Sequence, residues 1–339
     1  MAIGSGLDGQ FGVAAEATVG TPATVTRFFE FNKESIQGVR SGIQGAGIHA
    51  GGQYNRLSRY KRTTQTVGGG LDLDVPEKGL GLLLKHMLGS SAAATQIDTT
   101  TAYQQVHNPG PLGGLSLTLQ KGVPQASDRT VKAYTYRGAK VSEWTLASQT
   151  GQNTTLSLTF DAWDEDSATA LAAASFPVTG VFDFTQCVIK LGGTASTNTG
   201  VTSIAGGVAV DGLTAFELKG TNPLAAERFF LGSAVKAEQL ENGYRGVALS
   251  LTGEFDKTVL YDLFALDTTT AVQITHTGSL IETGHNFVLD IILPAVRWTV
   301  GANVIDGPDI VPTKLDGMAL DDQATTPIQI TYISTDTTI

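Results

Sequence analysis

The chain has 339 residues, and its 22 basic and 32 acidic side chains give a formal net charge of −10. This charge excludes a protein that holds nucleic acid by neutralising phosphates, and the single cysteine excludes an intramolecular disulfide. Only 16% of the residues are charged, while 40 are glycine and 44 are threonine. This composition predicts a mainly β protein with many loops, in one large domain or in two.

The N-terminal part of the chain shows little periodicity. Residues 1–25 are rich in Gly, Ala and Thr and predict an extended arm without the features of a signal peptide. Residues 27–31 alternate weakly and predict a short strand, and the glycine-rich residues 38–55 predict a long mobile loop. A basic cluster follows this loop and consists of Arg56, Arg59, Lys61 and Arg62.

One helix is predicted among the strands of the first half. Residues 63–74 predict a strand, and apolar residues then recur every three or four positions from Leu80 to Leu88. This spacing predicts an amphipathic helix that ends at Gly89. Farther along, residues 140–160 predict a hairpin with a polar turn, and the acidic and Ala-rich residues 161–174 predict a linker.

The second half repeats this order of elements. Leu249 and Leu251 lead to Asp256, a predicted N-cap for a second short helix over 259–264, as a similar strand precedes the first helix. Trp298-Thr299 follows an alternating run in the second half, as Trp144-Thr145 does in the first. The order predicts a tandem duplication, although strand–helix–strand blocks can also recur by chance in a long β protein.

The duplication predicts the domain organisation. Residues 1–25 form the arm, residues 26–170 a first β domain and residues 171–339 a second β domain. Within the second domain, residues 192–247 are expected to form an insertion or surface decoration.

Motifs for catalysis or cofactor binding lack the context that they need. Gly4, Gly6 and Gly9 match a dinucleotide spacing but have no preceding strand. The five histidines lack metal-ligand spacing and are predicted to lie on the surface or in loops, and Cys187 is predicted to be a small buried apolar residue. The sequence therefore predicts no enzyme, no cofactor and no metal.

Two acidic clusters and the basic cluster are the remaining candidates for binding sites or contacts. The acidic clusters, which lack a calcium-loop pattern, are predicted to be solvated loops. The basic cluster is predicted to meet an acidic surface on another copy of the chain, with a plain solvated loop as the alternative. The candidate inter-subunit contacts are Arg56, Arg59, Lys61, Arg62, Asp161 and Asp164. The acidic clusters comprise Asp161, Asp164, Glu165 and Asp166, and Asp306, Asp309, Asp316, Asp321 and Asp322.

Several short segments, concentrated in the second half, resemble one protein family. The segments are 228–233, 236–244, 259–264, 293–297, 307–309 and 330–337. In these segments the chain is similar to the major tail tube proteins of long-tailed (siphovirus-type) bacteriophages, particularly those that infect actinobacteria. The first half fits the family in its arm, basic loop and single helix, whereas residues 192–210 lie outside the resemblance.

The resemblance implies tandem tail-tube-type β-sandwich or barrel domains, each with one flanking α-helix. It implies rings of six domains, made by three chains if the duplication is real and by six if it is not, that stack into a tube in the virion. The implied partners are the chain itself and the tape-measure, tail-tip and tail-terminator proteins. DNA would pass through an acidic lumen without specific binding, and no membrane is involved; synthesis would occur in the host cytoplasm.

Two other classes stay open at this point. One is a tandem β-domain surface binding module, such as an adhesin or a carbohydrate-binding protein, without catalysis. The other is a hydrolase on a β scaffold that uses Asp306 and Asp309, although the low aromatic content of 7% argues against a sugar cleft.

Overall fold

The computed structural model describes residues 4–256, 258–305 and 307–339. The chain is mainly β with large antiparallel sheets, so the predicted fold class is confirmed. The strands of the first half are β1 (Gln10–Ala15), β2 (Arg27–Phe29), β3 (Lys33–Glu34), β4 (Gln37–Gln44), β5 (Tyr60–Asp74), β6 (Gly89–Ser91), β7 (Thr95–Gln96), β8 (Tyr103–Pro109), β9 (Leu117–Pro124), β10 (Val131–Gln149), β11 (Thr155–Ala162) and β12 (Asp164–Asp166).

The second half contains the remaining elements. Its strands are β13 (Cys187–Leu191), β14 (Thr194–Asn198), β15 (Val201–Ala205), β16 (Val208–Ala209), β17 (Leu213–Thr221), β18 (Gly246–Glu254), β19 (Thr270–Glu282), β20 (His285–Asn303), β21 (Pro312–Ala319) and β22 (Gln329–Ser334). The α-helices are α1 (Gly81–Leu88) in the first half and α2 (Val259–Ala265) in the second. No helix in the described ranges is long and apolar enough to cross a membrane.

One antiparallel sheet, which we call the long sheet, runs through both halves of the chain. Its strand order is β3 and β4 (end to end along β5), β5, β11, β10, β17, β18, β21 and β20. At the central joint between β10 and β17, Trp144 lies opposite Gly220 and Leu146 opposite Leu218. Because β10 belongs to the first half and β17 to the second, this joint continues one sheet across the two halves.

Two shorter sheets cover the apolar face of the long sheet. The first has the order β2, β1, β9, β10, β12, and the second the order β16, β13, β19, β20, β22, β8. Strands β10 and β20 contribute to both layers. Leu146 and Leu249 of the long sheet share one buried core with Leu119 and Ile291 of the shorter sheets. This apolar burial, at about 25 cal/mol per Å², is the main favourable term for folding.

The same arrangement of elements occurs in both halves. A 19-residue strand, β10 or β20, pairs with the strand before it and the strand after it, and the next strand outward leads into a helix. Trp144 and Trp298 occupy matching positions on the two long strands, and both are buried. Each half also begins with a 3₁₀-helix closed by a capping box, at Ser5 and at Asp183.

The first predicted helix is confirmed, and the start of the second is corrected. Helix α1 ends at Gly89, whose φ of 103° is left-handed and favours glycine. Helix α2 is preceded by Thr258, which makes no side-chain cap. The predicted N-cap Asp256 therefore lies outside the helix.

Three segments that the sequence predicts as an arm, a loop and a linker contain strands, and the predicted insertion contributes a strand to the long sheet. The predicted arm, residues 1–25, includes β1, in which Phe11 is fully buried between two neighbouring strands. The predicted loop 38–55 lies partly in β4, the predicted linker 161–174 begins in β11 and β12, and the predicted decoration 192–247 includes β17 of the long sheet. Strand β1 pairs with β9 and β17 pairs with β10, so the partners of these two strands are distant in sequence and give no local signal. The proposed domain boundaries stay a prediction.

The surface prediction for histidine is wrong at three positions. His86, His107 and His276 are buried, and each ring has a nitrogen without a hydrogen-bond partner among the described residues. Burial lowers the pKa of His86 and of His107 to about 3, and lowers the pKa of His276 to about 4. These three side chains are therefore neutral parts of the core.

We expect Gly220→Ala to destabilise the protein by about 1–3 kcal/mol, because a methyl group there would overlap the Trp144 indole across the central joint. Gly113→Ala is the matched control, since a methyl group at Gly113 meets no atom within 4 Å. Urea unfolding measures both. Equal stability of the two variants would contradict the close packing of the joint.

We also expect the free energy of unfolding to fall as the pH drops from about 6.5 towards 4. The unfolded histidines bind protons near pH 6.5, whereas the buried ones do so only near 3 to 4, so acid favours the unfolded state. The slope is about 1.4 kcal/mol per pH unit for each buried histidine. His276→Gln should therefore reduce the loss of stability between pH 6 and 5 by the contribution of one histidine. An unchanged slope would argue against buried histidines as the cause of the acid sensitivity.

Candidate functional site

The exposed side of the long sheet carries a continuous polar surface, which we call the polar face. One row of directly opposed residues crosses six strands: Asp72, Ser157, Thr145, Lys219, Ala248 and Met318. A second row consists of Asp74, Thr155, Ala147, Glu217, Ser250 and Asp316. Alternation places Leu71, Leu146 and Leu249 on the opposite, buried side.

Acidic side chains outnumber basic ones on the polar face. The acidic residues are Asp72, Asp74, Glu143, Glu217, Glu254 and Asp316, and the basic residues are Lys33, Lys219, Arg297 and Lys314. Lys219 Nζ lies 3.2 Å from Glu143 Oε2, across the central joint. Lys314 Nζ lies 3.0 Å from Asp316 Oδ2. These local ion pairs neutralise basic groups and leave the face net negative.

Two carboxylates of this face are held by neutral donors. The amides of Asn32 and Asn153 each donate to Asp74, at 2.8 Å in both cases. The Ser250 hydroxyl donates to Asp316 at 2.6 Å. These hydrogen bonds fix the two carboxylates in position, and both residues stay partly exposed to solvent.

Two edges of the long sheet pair with no other strand in the described residues. One is the outer edge of β3 and β4, which pair only with β5. The other is the second edge of β20 over residues 297–303, which pair only with β21. The matching segments of β10 and β17, residues 143–149 and 215–221, pair with each other at the central joint. Each half therefore has one edge joined within the chain and one left open.

Side chains protect the first open edge near Ile36. The Ile36 carbonyl accepts hydrogen bonds from Lys121 Nζ at 2.6 Å and from the Tyr136 hydroxyl at 3.2 Å. The Ile36 N–H donates to Glu34 at 3.1 Å, and Glu34 pairs with Lys121 at 3.0 Å. A charged pair at an edge is a common protection against uncontrolled strand pairing.

The basic cluster lies at the tip of the β4–β5 hairpin. Arg56, Arg59, Lys61 and Arg62 are all exposed, and none makes an ion pair with a residue that the structure describes. The hairpin also exposes apolar groups, with Ile48 and Leu57 almost fully accessible. The inter-subunit role of the cluster stays a prediction.

The two acidic residues among the contact candidates each form an ion pair within the chain. Asp161 accepts from Lys236 Nζ at 2.5 Å and from the Gln239 amide at 2.8 Å, and Lys236 is only 1% exposed. Asp164 pairs with Arg137 at 3.1 Å, where both side chains are partly exposed. Both lie on strands, so the solvated-loop prediction is wrong for them. The structure does not bring either residue to the basic cluster.

Cys187 and the acidic residues were the other candidates for chemistry. Burial raises the pKa of the Cys187 thiol to about 12, which opposes a nucleophilic thiolate. No three His, Cys, Asp or Glu side chains of the described ranges converge as a metal site would require. Asp309 is exposed, and Asp306 lies outside the described residues.

An unpaired sheet edge is a template for pairing with another chain, and the long sheet has two such edges in the described residues. The sequence model of the family described as phage tail tube protein matches residues 6–319. The chain belongs to this family and is a structural component of the virion that assembles into the tail tube. No individual curated protein matches it. The predicted family is confirmed, whereas the host and the tail type stay predictions.

The polar face and the open edges were not predicted as such. The period-two patterns of β10, β11 and β18 contain the face, but only the register shows that their polar residues form one surface. The recurrence of Trp144 and Trp298 was the available signal for the open edges. It shows that β20 corresponds to β10, and β10 has a neighbouring strand, β17, with no counterpart beside β20 in the described residues.

We expect Asp161→Ala to destabilise the protein by about 3–5 kcal/mol, because it would leave the buried Lys236 ammonium without its carboxylate. Asp164→Ala is the control, since its partly exposed pair with Arg137 contributes at most about 1 kcal/mol. Urea unfolding measures the difference. Similar losses in both variants would show that Asp161 has no special structural role.

Proposed function

We propose that three copies of this chain form one ring, and that stacked rings form the hollow tail tube that delivers phage DNA. The observation that carries the proposal is the central joint, where β10 and β17 continue one sheet from the first half into the second. The matching open edges allow β20 of one copy to pair with β3 and β4 of the next. Such head-to-tail contacts close into a ring when the rotation permits.

The recurrence of the elements supports two tube domains in each chain, over about residues 26–170 and 171–339 with β1 added to the first. A ring of six domains would then need three chains. Three of its six joints would be central joints, and the other three would form between chains.

The polar face is the surface that supports a lumen. Its opposite side is covered by the two shorter sheets, so only this side of the long sheet is free to line a bore. Negative side chains repel DNA phosphates, and at physiological salt this repulsion extends about 8 Å. A net negative lining would therefore let DNA pass without binding to the wall.

Contacts with other tail proteins follow from this role. A tape-measure protein would occupy the lumen during assembly, and tail-tip and tail-terminator proteins would meet the two ends of the tube. The role requires no catalysis, since the chain would act by shape and charge alone.

Electron microscopy of the concentrated protein, with rotational averaging of end-on rings, tests the proposal. We expect hollow tubes with three chains in each ring. Six chains in each ring would keep the tube and overturn the two-domain organisation. Dispersed monomers, even with tail-tip proteins added, would favour the surface binding module instead.

A cysteine pair tests the strand register in the same tubes. Leu71 of β5 and Leu249 of β18 occupy matching positions in the two halves. Ser35 pairs with Gly70, directly before Leu71, and Lys219 pairs with Ala248, directly before Leu249. Ser35 is therefore the counterpart of Lys219. Since Lys219 lies opposite Thr145, Ser35 should lie opposite Thr299 of the next copy.

Ser35→Cys with Thr299→Cys, in a Cys187→Ala background, should give a disulfide ladder on a non-reducing gel that ends at the trimer. Ser35→Cys with Asn303→Cys is the out-of-register control and should give little cross-linking. A ladder that ends at six chains would contradict the three-chain ring.

A further inference from the structure

The two helices differ in how much of their surface is covered. In α1, residues on every side of the helix are buried, from Leu82 to Leu88 except Lys85. In α2 only Leu260 is buried, whereas Val259 is 57% exposed and Leu266, directly after the helix, is 70% exposed. Since the helices occupy matching places in the two halves, α2 lacks a cover that α1 has.

Segments outside the helix supply the cover of α1. One is the segment from β6 to β8, and the other is the connection from β17 to β18. From this connection, the Asn222 amide donates to the Met87 carbonyl at 3.0 Å. Arg245 donates to the Leu88 carbonyl at 2.7 Å, at the carbonyl end of the helix. The second half thus covers the helix of the first half beside the central joint.

The counterpart of that connection in the first half is the β4–β5 hairpin. In the repeated arrangement β4 corresponds to β17 and β5 to β18, so the two connections link matching pairs of strands. The hairpin projects from the open edge of the chain and exposes Ile43, Tyr54 and Leu57 by 63%, 86% and 87%. It is an apolar surface that nothing in the described chain covers.

The charges of the two surfaces are opposite. The hairpin carries the basic cluster and Arg40, whereas α2 contains the acidic Asp262 and no basic residue. Arg245 shows what an arginine from such a connection does, since it binds the last carbonyl of α1. A basic side chain is also favoured at the carbonyl end of α2.

We infer that the β4–β5 hairpin of one copy covers helix α2 of the neighbouring copy in the same ring. This inference rests on the proposed ring, because β20 and the open edge must pair to bring the two surfaces together. The partner is therefore a second copy of this chain, and the contact combines apolar burial with opposite charge.

Photo-cross-linking in assembled tubes tests this contact. Tyr261, which is 42% exposed on α2, is replaced by p-benzoylphenylalanine, and dimers formed under light are mapped by mass spectrometry. We expect links to residues 38–67 of another copy. The control replaces Tyr244, which is 103% exposed on the β17–β18 connection. It should give at least tenfold fewer links to that hairpin.

The possible results separate this inference from the proposed function. Tubes in which Tyr261 links to another segment, gives no dimer, or links no better than Tyr244 would overturn the contact and keep the tube. Absence of tubes from the unchanged protein would overturn both. If the Tyr261 variant does not fold, the same replacement at the exposed Val259 serves, with the same outcomes.

Discussion

The pairing of β10 with β17 is the interaction on which the rest of the structure depends. It makes the sheets of two similar halves into one, and it aligns their polar residues in unbroken rows. Trp144 packs against Gly220 across this joint, so the joint is held by side-chain packing as well as by backbone hydrogen bonds. Without it, the two halves would each present an additional unpaired edge to solvent.

The open edges create a conflict between solubility and assembly. An unpaired edge attracts any extended chain, yet the proposed ring requires each subunit to keep its edges available for its own copies. The ion pair of Glu34 and Lys121 shields the Ile36 backbone in the isolated chain. For another strand to pair here, the Glu34 and Lys121 side chains would have to move away from the Ile36 backbone. This requirement raises the free-energy barrier to pairing with a wrong partner.

Local patterns predicted the elements that carry their own signal. The spacing from Leu80 to Leu88 predicted α1, and Trp144 with Trp298 revealed the recurrence of the long strands. Strand β1 was missed because Gly12 and the alanines around it dilute its alternation. The pairing of β17 with β10 was missed because the two strands lie about seventy residues apart. Burial of His276 and the pairing of Asp161 with Lys236 depend on contacts between distant segments, which no local pattern contains.

The covalent link between the halves also affects how assembly starts. Two tethered domains meet at an effective concentration that can reach the millimolar range, far above that of separate molecules in a cell. The central joint therefore forms while each chain folds, independently of how many chains are present. In the proposed ring of three chains, three encounters would suffice instead of six, so nucleation would depend less steeply on protein concentration.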